Sequence, residues 1–221
     1  MTTGKHIVLE GVDGSGKSAL CRHLVDRLEK YNVRFCSNKQ IAEEPPFVRT
    51  IMRTLFSLLW PKKSTTFDHL LPLEYWIHLQ ATWYSLHSSC VVRPRLLKGE
   101  MLISDGWYYK FAAKLKARGL SDAYIRTIFS HIAKPNLVVL LDGDIAGIWD
   151  RKKRFRHHEM GLHHNYARLG KESFVDYQSK IFRCLKLFAT TTLWRVVKID
   201  VSAPIDQNVD TVARSIENCL L

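Results

Sequence analysis

Between Gly11 and Ser18 the chain reads Gly-Val-Asp-Gly-Ser-Gly-Lys-Ser, the spacing G-x-x-x-x-G-K-S. Glycines at 11, 14 and 16 reach backbone angles closed to other residues, so successive amide N–H groups can converge on an anion. Lys17 supplies a cation for the outer phosphates of a nucleoside triphosphate, and the Ser18 hydroxyl suits Mg2+. The stretch Gly11, Asp13, Gly14, Ser15, Gly16, Lys17 and Ser18 is therefore the expected ATP cradle. It follows the apolar run His6-Ile7-Val8-Leu9 and opens a segment in which Leu20, Leu24 and Leu28 recur every fourth residue. A strand before and an amphipathic helix over 17–31 after are the setting in which such a loop binds phosphate.

Metal-side chemistry needs a carboxylate at the end of another strand. Asp105 after Met101-Leu102-Ile103-Ser104 and Asp142 after Leu137–Leu141 both qualify. A second cationic element lies at Arg151–Arg156, where five of six residues are basic. The segment 151–170 carries Gly161 and Gly170 and is expected to form a lid. His157, His158, Glu159, His163 and His164 lack a metal-ligand spacing and read as part of that lid.

These groups need a scaffold. Val33–Ser37 and Arg195–Ile199 join the three apolar runs above as strand candidates, nearly continuous in apolar character as buried parallel strands are. Helices are expected over 47–60, 68–98 (with Pro94 kinking or shortening it), 108–117, 122–132, 173–190 and 206–220, with a loop at 61–66. Alternating strands and helices predict an α/β fold: a doubly wound parallel five-stranded sheet flanked by helices, of P-loop kinase type. At 221 residues a single domain is expected.

Composition narrows the partners. The net charge is +12, yet much of it is concentrated in one segment, which fits a phosphate clamp better than a nucleic-acid surface. No run approaches the roughly 20 apolar residues of a membrane span. Five widely spaced cysteines suggest reduced thiols, and the N-terminal residues show no signal-peptide pattern, so a cytoplasmic location is expected.

Several stretches together resemble thymidylate kinases: Val8–Ser18 with its internal aspartate, Glu44-Pro45, Ser104–Tyr109, Lys134–Asp142, Lys171–Phe174 and Ile199–Ser202. The resemblance implies ATP and Mg2+ as cofactors, Asp13 as ligand of a sugar hydroxyl, Asp105 as the metal-side carboxylate with Ser18, and Ser202, Ala203 and Pro204 against adenine. It also implies a homodimer and, with glycine at position 14, lid arginines (here Arg151 and Arg154) that stabilise charge on the phosphoryl group in flight. Surplus apolar residues in the helices 47–60 and 68–98 (Ile51, Leu55, Leu58, Leu59, Leu70 and Leu71 among them) point the same way. Three arginines of the family's acceptor site are replaced, by Glu43, by Gly106 and at or near Tyr84. Arg49, Arg53, Arg93 or Arg95 could compensate, and Glu44, Arg53, Trp83, Tyr84 and Tyr108 are expected at the substrate, the aromatics by stacking. Trp83 and Tyr84 are adjacent and cannot share one helix face, which favours a ligand role for them.

The reading is an ATP-dependent phosphotransferase acting on a nucleotide or nucleoside. Loss of three arginines predicts weak binding of a monophosphate, improved by returning arginine to 43 and 106. The alternative is a same-fold kinase of another small hydroxyl compound, such as a specialised metabolite, without an acceptor phosphate. A third reading, a regulatory nucleotide-binding module, conflicts with the presence of Lys17, Ser18 and the lid arginines.

Overall fold

The computed structural model describes residues 4–60, 71–152, 154–162, 166–190 and 192–220. The expected 61–66 loop, the start of the expected 68–98 helix with Leu70, and Lys153, His163 and His164 lie outside the described residues.

Five strands form one sheet: β1 (His6–Glu10), β2 (Val33–Phe35), β3 (Met101–Ser104), β4 (Leu137–Asp142) and β5 (Trp194–Lys198). The order is β2-β3-β1-β4-β5 and every pairing is parallel. Ile7 of the central strand faces Ile103 on one side and Leu137 on the other. Strand side chains alternate between faces, and the core divides accordingly. Val8, Val138 and Leu140 enter the layer containing Trp83, Trp107 and Ile181. Ile7, Leu9, Val139 and Leu141 enter the layer containing Leu20, Leu24, Val212 and Ile216. Burying each large aliphatic side chain contributes roughly 1.5–3 kcal/mol. This explains why β1, buried at all five positions, can hold the loop that follows it.

The helices are α1 (Lys17–Arg27), α2 (Pro46–Leu59), α3 (Leu73–His87), α4 (Arg93–Leu97), α5 (Tyr109–Ala117), α6 (Asp122–Ile128), α7 (Ile145–Arg151), α8 (Lys171–Phe188) and α9 (Ile205–Leu220). The first is shorter than expected and passes into a 3-10 turn at Glu29–Tyr31. Between α3 and α4 the chain stays helical through a π turn at Ser88–Val92. Pro94 lacks an amide donor, and the widened turn just ahead of it absorbs the mismatch without breaking the rod.

One helix was not foreseen from sequence. Seven residues of α7 are too few for a periodic pattern, but Asp144 caps it by accepting from the amides of Ala146 (3.1 Å) and Gly147 (3.0 Å). No described helix is long and apolar enough to cross a membrane. Much of the surplus apolar surface of α2 and α3 is spent between them: the rings of Phe56, Trp60 and Trp83 lie 5.0–6.0 Å apart. Leu58 and Leu71 remain exposed.

Candidate functional site

β1 delivers the chain to the sheet's C-terminal edge, where Gly11–Gly16 turns into α1. Gly14 has φ 82°, and a Cβ there would come within 2.8 Å of Ile148 Cγ2 on α7, so close packing as well as backbone angle demands glycine. Gly16, at φ 89°, is the N-cap of α1. The Lys17 ammonium folds back on the loop, donating to the carbonyls of Gly11 (2.9 Å) and Val12 (2.7 Å) and to Ser15 Oγ (3.3 Å). Burial, with Lys110 nearby, pulls its pKa down to about 8, against the pull of Asp13, Glu10 and Asp105.

Beside it, Ser18 Oγ donates to Asp105 Oδ2 at 2.5 Å, and Asp105 Oδ1 accepts from the Asn38 amide at 3.0 Å. Hydroxyl and carboxylate oxygens side by side at a helix start are the hard donors Mg2+ selects. Asp142, the other candidate, pairs instead with Lys186 of α8 at 3.2 Å and lines neither cleft.

Two clefts flank the loop and meet at Gly16 and Ala19. One, of about 1000 Å³, runs between the loop, α7 and the turn after β5, and includes Ser202 and Ala203. Pro204 is exposed just outside it. Arg151, the last residue of α7, spans this cleft: Nη2 donates to Gly14 O at 2.7 Å and Nη1 to Val201 O at 3.0 Å.

The second cleft, of about 870 Å³, is bounded by the loop, the segment 37–39, α3, α5, Lys152 and residues 154–159. Eight lysines and arginines line it against four carboxylates. Two of those cations are paired, Lys110 with Asp13 and Lys152 with Glu159. Arg154, Arg156 and Lys114 have no carboxylate partner among the described residues. Burial alone would push the Asp13 carboxyl up, but the fields of Lys110, Lys114 and Lys17 outweigh it and hold it well below the usual range. At the floor, Glu10 Oε1 accepts from the Trp107 amide (2.8 Å) while Oε2 is buried without a partner among the described residues. Burial raises Glu10 to about pKa 7, against the Trp107 and Gly11 amides and the charges of Lys17 and Lys110.

Comparison with known proteins fits this architecture. No family model matches the chain. A probable thymidylate kinase of Staphylothermus marinus is 31% identical over 156 residues, covering 67% of this chain and 69% of the relative.

The chain belongs to the thymidylate kinase family.

A probable thymidylate kinase of Pyrococcus abyssi is 31% identical over 139 residues, and the chain spans 65% of its length. That of Archaeoglobus fulgidus is 23% identical over 215 residues, 97% of this chain and 95% of the relative. The solved thymidylate kinase from Candida albicans superposes with a TM-score of 0.67 at 20% identity, over 98% of this chain and 92% of that one, a likeness of fold.

Against this family's pattern, several expectations need correction. Trp83 is fully buried, its Nε1 donating to Asn38 O at 3.0 Å, so it is not a stacking platform. Adjacent residues can both be core here because α3 is covered on two sides: Phe56 of α2 and Trp60 at its end reach Trp83, and Tyr84 turns to Trp107. Tyr84 is buried too, though it reaches the wall of the second cleft. Tyr108 stacks on Phe129 and Tyr109, away from both clefts. Glu44 and Arg53 are exposed and line neither cleft. Arg93 donates to His131 O and Arg95 pairs with Glu100, so neither replaces a missing arginine. Arg49 and Glu43 do not line the clefts either.

Four cations that line the second cleft were not foreseen from sequence: Arg22, Lys39, Lys110 and Lys114. Lys110 lies four residues beyond Gly106, so a charge lost before α5 reappears within its first turn. Gly106 itself has φ 128°, and a Cβ there would meet Asn38 Nδ2 at 3.0 Å. Arginine at 106 would be strained in this backbone, contrary to the expected rescue. The signal for Lys110 and Lys114 was their i, i+4 spacing on one helix face.

Proposed function

We propose that the chain transfers the γ-phosphoryl group of ATP to a nucleoside monophosphate. The observation that carries this reading is the continuity of the phosphate loop with a second cleft rich in unpaired cations, so that donor and acceptor phosphates would meet at Lys17. In this reading the base and ribose of ATP occupy the cleft at Arg151, Ser202 and Ala203, and Ser18 with Asp105 would hold Mg2+. When bound, that ion neutralises charge on the β- and γ-phosphate oxygens. Lys17 exchanges its loop carbonyls for phosphate oxygens. Arg154 and Arg156 offset charge on the transferring group, and Lys110 and Lys114 receive the acceptor phosphate. An oxygen of that phosphate attacks Pγ while the bond to the β–γ bridging oxygen breaks, yielding ADP and a diphosphate. A dianionic acceptor has no proton to lose, so no general base is required.

The lysine-lined cleft supports a phosphate-bearing acceptor over a neutral one, reversing the inference from the three missing arginines. Gln80 supports a base-bearing acceptor: its Oε1 is buried at the cleft with no partner among the described residues, a pole that a base N–H would satisfy. The reading extends to a homodimer through α2 and α3, where Leu58 of α2 and Leu71 just ahead of α3 are exposed, and to closure of residues 154–162 over the cleft. Five free cysteines fit a cytoplasmic enzyme.

An acceptor screen with labelled ATP tests the proposal, comparing nucleoside monophosphates, nucleosides and simple alcohols. ADP formation that depends on an added monophosphate is expected. Turnover confined to nucleosides or alcohols, or ATP binding without any acceptor-dependent turnover, would overturn it.

A further inference from the structure

Gln178 sits on the inner face of α8 among Phe174, Tyr177, Ile181 and Leu185, with no exposed surface. A buried amide in such a layer is costly unless its poles are satisfied. Here they are satisfied by two separate segments. Oε1 accepts from the Asp13 amide at 3.0 Å, while Nε2 donates to Asp13 Oδ2 at 3.2 Å and to the Glu159 carbonyl at 2.7 Å. The amide N–H of Asp13 can only donate, which fixes which end of the glutamine faces it. Glu159 in turn accepts from the Arg156 amide at 2.7 Å and pairs with Lys152 at 2.8 Å. A continuous chain of contacts thus runs from the phosphate loop, through one buried side chain, to the turn that presents Arg156 at the acceptor cleft.

We propose that Gln178 is a positioning residue that locks Asp13 and the turn Arg156–Met160 into one unit, so that the loop carboxylate and the cations facing it are set together. Removing the amide releases both partners at once. In Gln178→Leu the Asp13 N–H and the Glu159 carbonyl lose their bonds, and Asp13 keeps only Lys110. Amide hydrogen exchange of the protein without ligand is expected to rise about tenfold at Asp13 and at 157–160 together, with β4 unchanged. Gln178→Glu gives a control within one protein. At about pH 8 its carboxylate would face Asp13 Oδ2 and the Glu159 carbonyl, and exchange should rise as in Gln178→Leu. When protonated it loses that repulsion and gains one O–H to donate to Asp13 Oδ2 or the Glu159 carbonyl while still accepting from the Asp13 amide, so its excess over wild type should shrink at least threefold on lowering the pH to about 5.5.

The kinetic arm rests on the proposed function: with thymidine monophosphate and ATP, Gln178→Leu should raise the acceptor KM about tenfold and the ATP KM less than about threefold. A role in packing alone would lower the melting temperature without linking the two segments or restoring them with pH. Exchange that rises at only one of the two segments, or that shows no pH-dependent recovery in Gln178→Glu, overturns the proposal. If Gln178→Leu does not fold, Gln178→Glu at the two pH values decides. If no acceptor supports turnover, the proposed function fails while the exchange measurements still decide the role of Gln178.

Discussion

The two clefts share the phosphate loop and are otherwise assembled differently. The cleft at Arg151 draws on three short stretches, 15–20, 144–151 and 199–208, and the bonds that shape it run largely to main-chain atoms. The cleft at Lys110 gathers side chains from the end of β1, the segment 37–39, α3, α5, Lys152 and residues 154–159, and its contacts are mainly between side chains. Main-chain groups are present whatever the residue, so a site built from them depends on glycines and turns. Side-chain sites depend on which residue stands where, and the same charge can be supplied from another position. That is what the second cleft shows: Gly106 carries no cation, Arg53, Arg93 and Arg95 lie outside it, and Lys110 and Lys114 line it.

The sharpest way to break this contrast is at the shared wall. Lys17→Ala should reduce acceptor-dependent turnover by about 10²–10³-fold, the scale of losing one preorganised charge at the reacting group. Ser18→Ala should lose about as much at low Mg2+ and regain part of it as Mg2+ is raised, in steady-state assays across a metal titration. Near wild-type turnover in Lys17→Ala would mean that the loop is not where the two halves meet.

A smaller effect separates the halves. Lys114→Met and Lys110→Met should raise the acceptor KM by roughly 10–100-fold each while the ATP KM changes less than about threefold. Lys110→Met should be the worse because it also strips Asp13 of its ion pair. Equal changes in both constants would erase the distinction.

The side-chain-built cleft also carries a stability cost at its floor. Glu10 holds its proton to about pH 7 in the native state and releases it near 4.5 when unfolded. Between those values the native state binds more protons, so stability falls as pH rises and the loss is complete above about 7. Glu10→Gln keeps an acceptor for the Trp107 amide and removes that titration. Relative to wild type it should gain on the order of 3 kcal/mol between about pH 4.5 and 7, read from urea unfolding. A stability difference independent of pH would refute this. The smallest expectation is a control: Arg53→Ala and Arg93→Ala should leave the acceptor KM within about twofold, since neither side chain reaches a cleft. A tenfold rise in either would restore the arginine replacement inferred from sequence.

The donor half was legible in the sequence because its chemistry is local. Gly11–Ser18 carries its own backbone geometry, and β1 and β4 are apolar throughout since both faces are covered. Asp105 was one of two strand-end candidates, preferred through the family resemblance, and its contact with Ser18, 87 positions away, is a pairing that only the fold shows. Trp83 was misread because a second covered face on α3 cannot be inferred from the helix itself. Seven-residue α7 offered only the Asp144 cap as a signal.

By itself, the sequence determined the order of the strands and of the helices other than α7, the phosphate loop with Lys17 and Ser18, and a cationic segment after residue 150, all properties carried by neighbours along the chain. Only the tertiary structure decided which cations line the second cleft, that Asp13 is shared between Lys110 and Gln178, and that Trp83 and Tyr84 belong to the core. Those facts depend on pairs of residues separated by up to 165 positions, and their meeting is set by sheet order and helix packing rather than by local propensity.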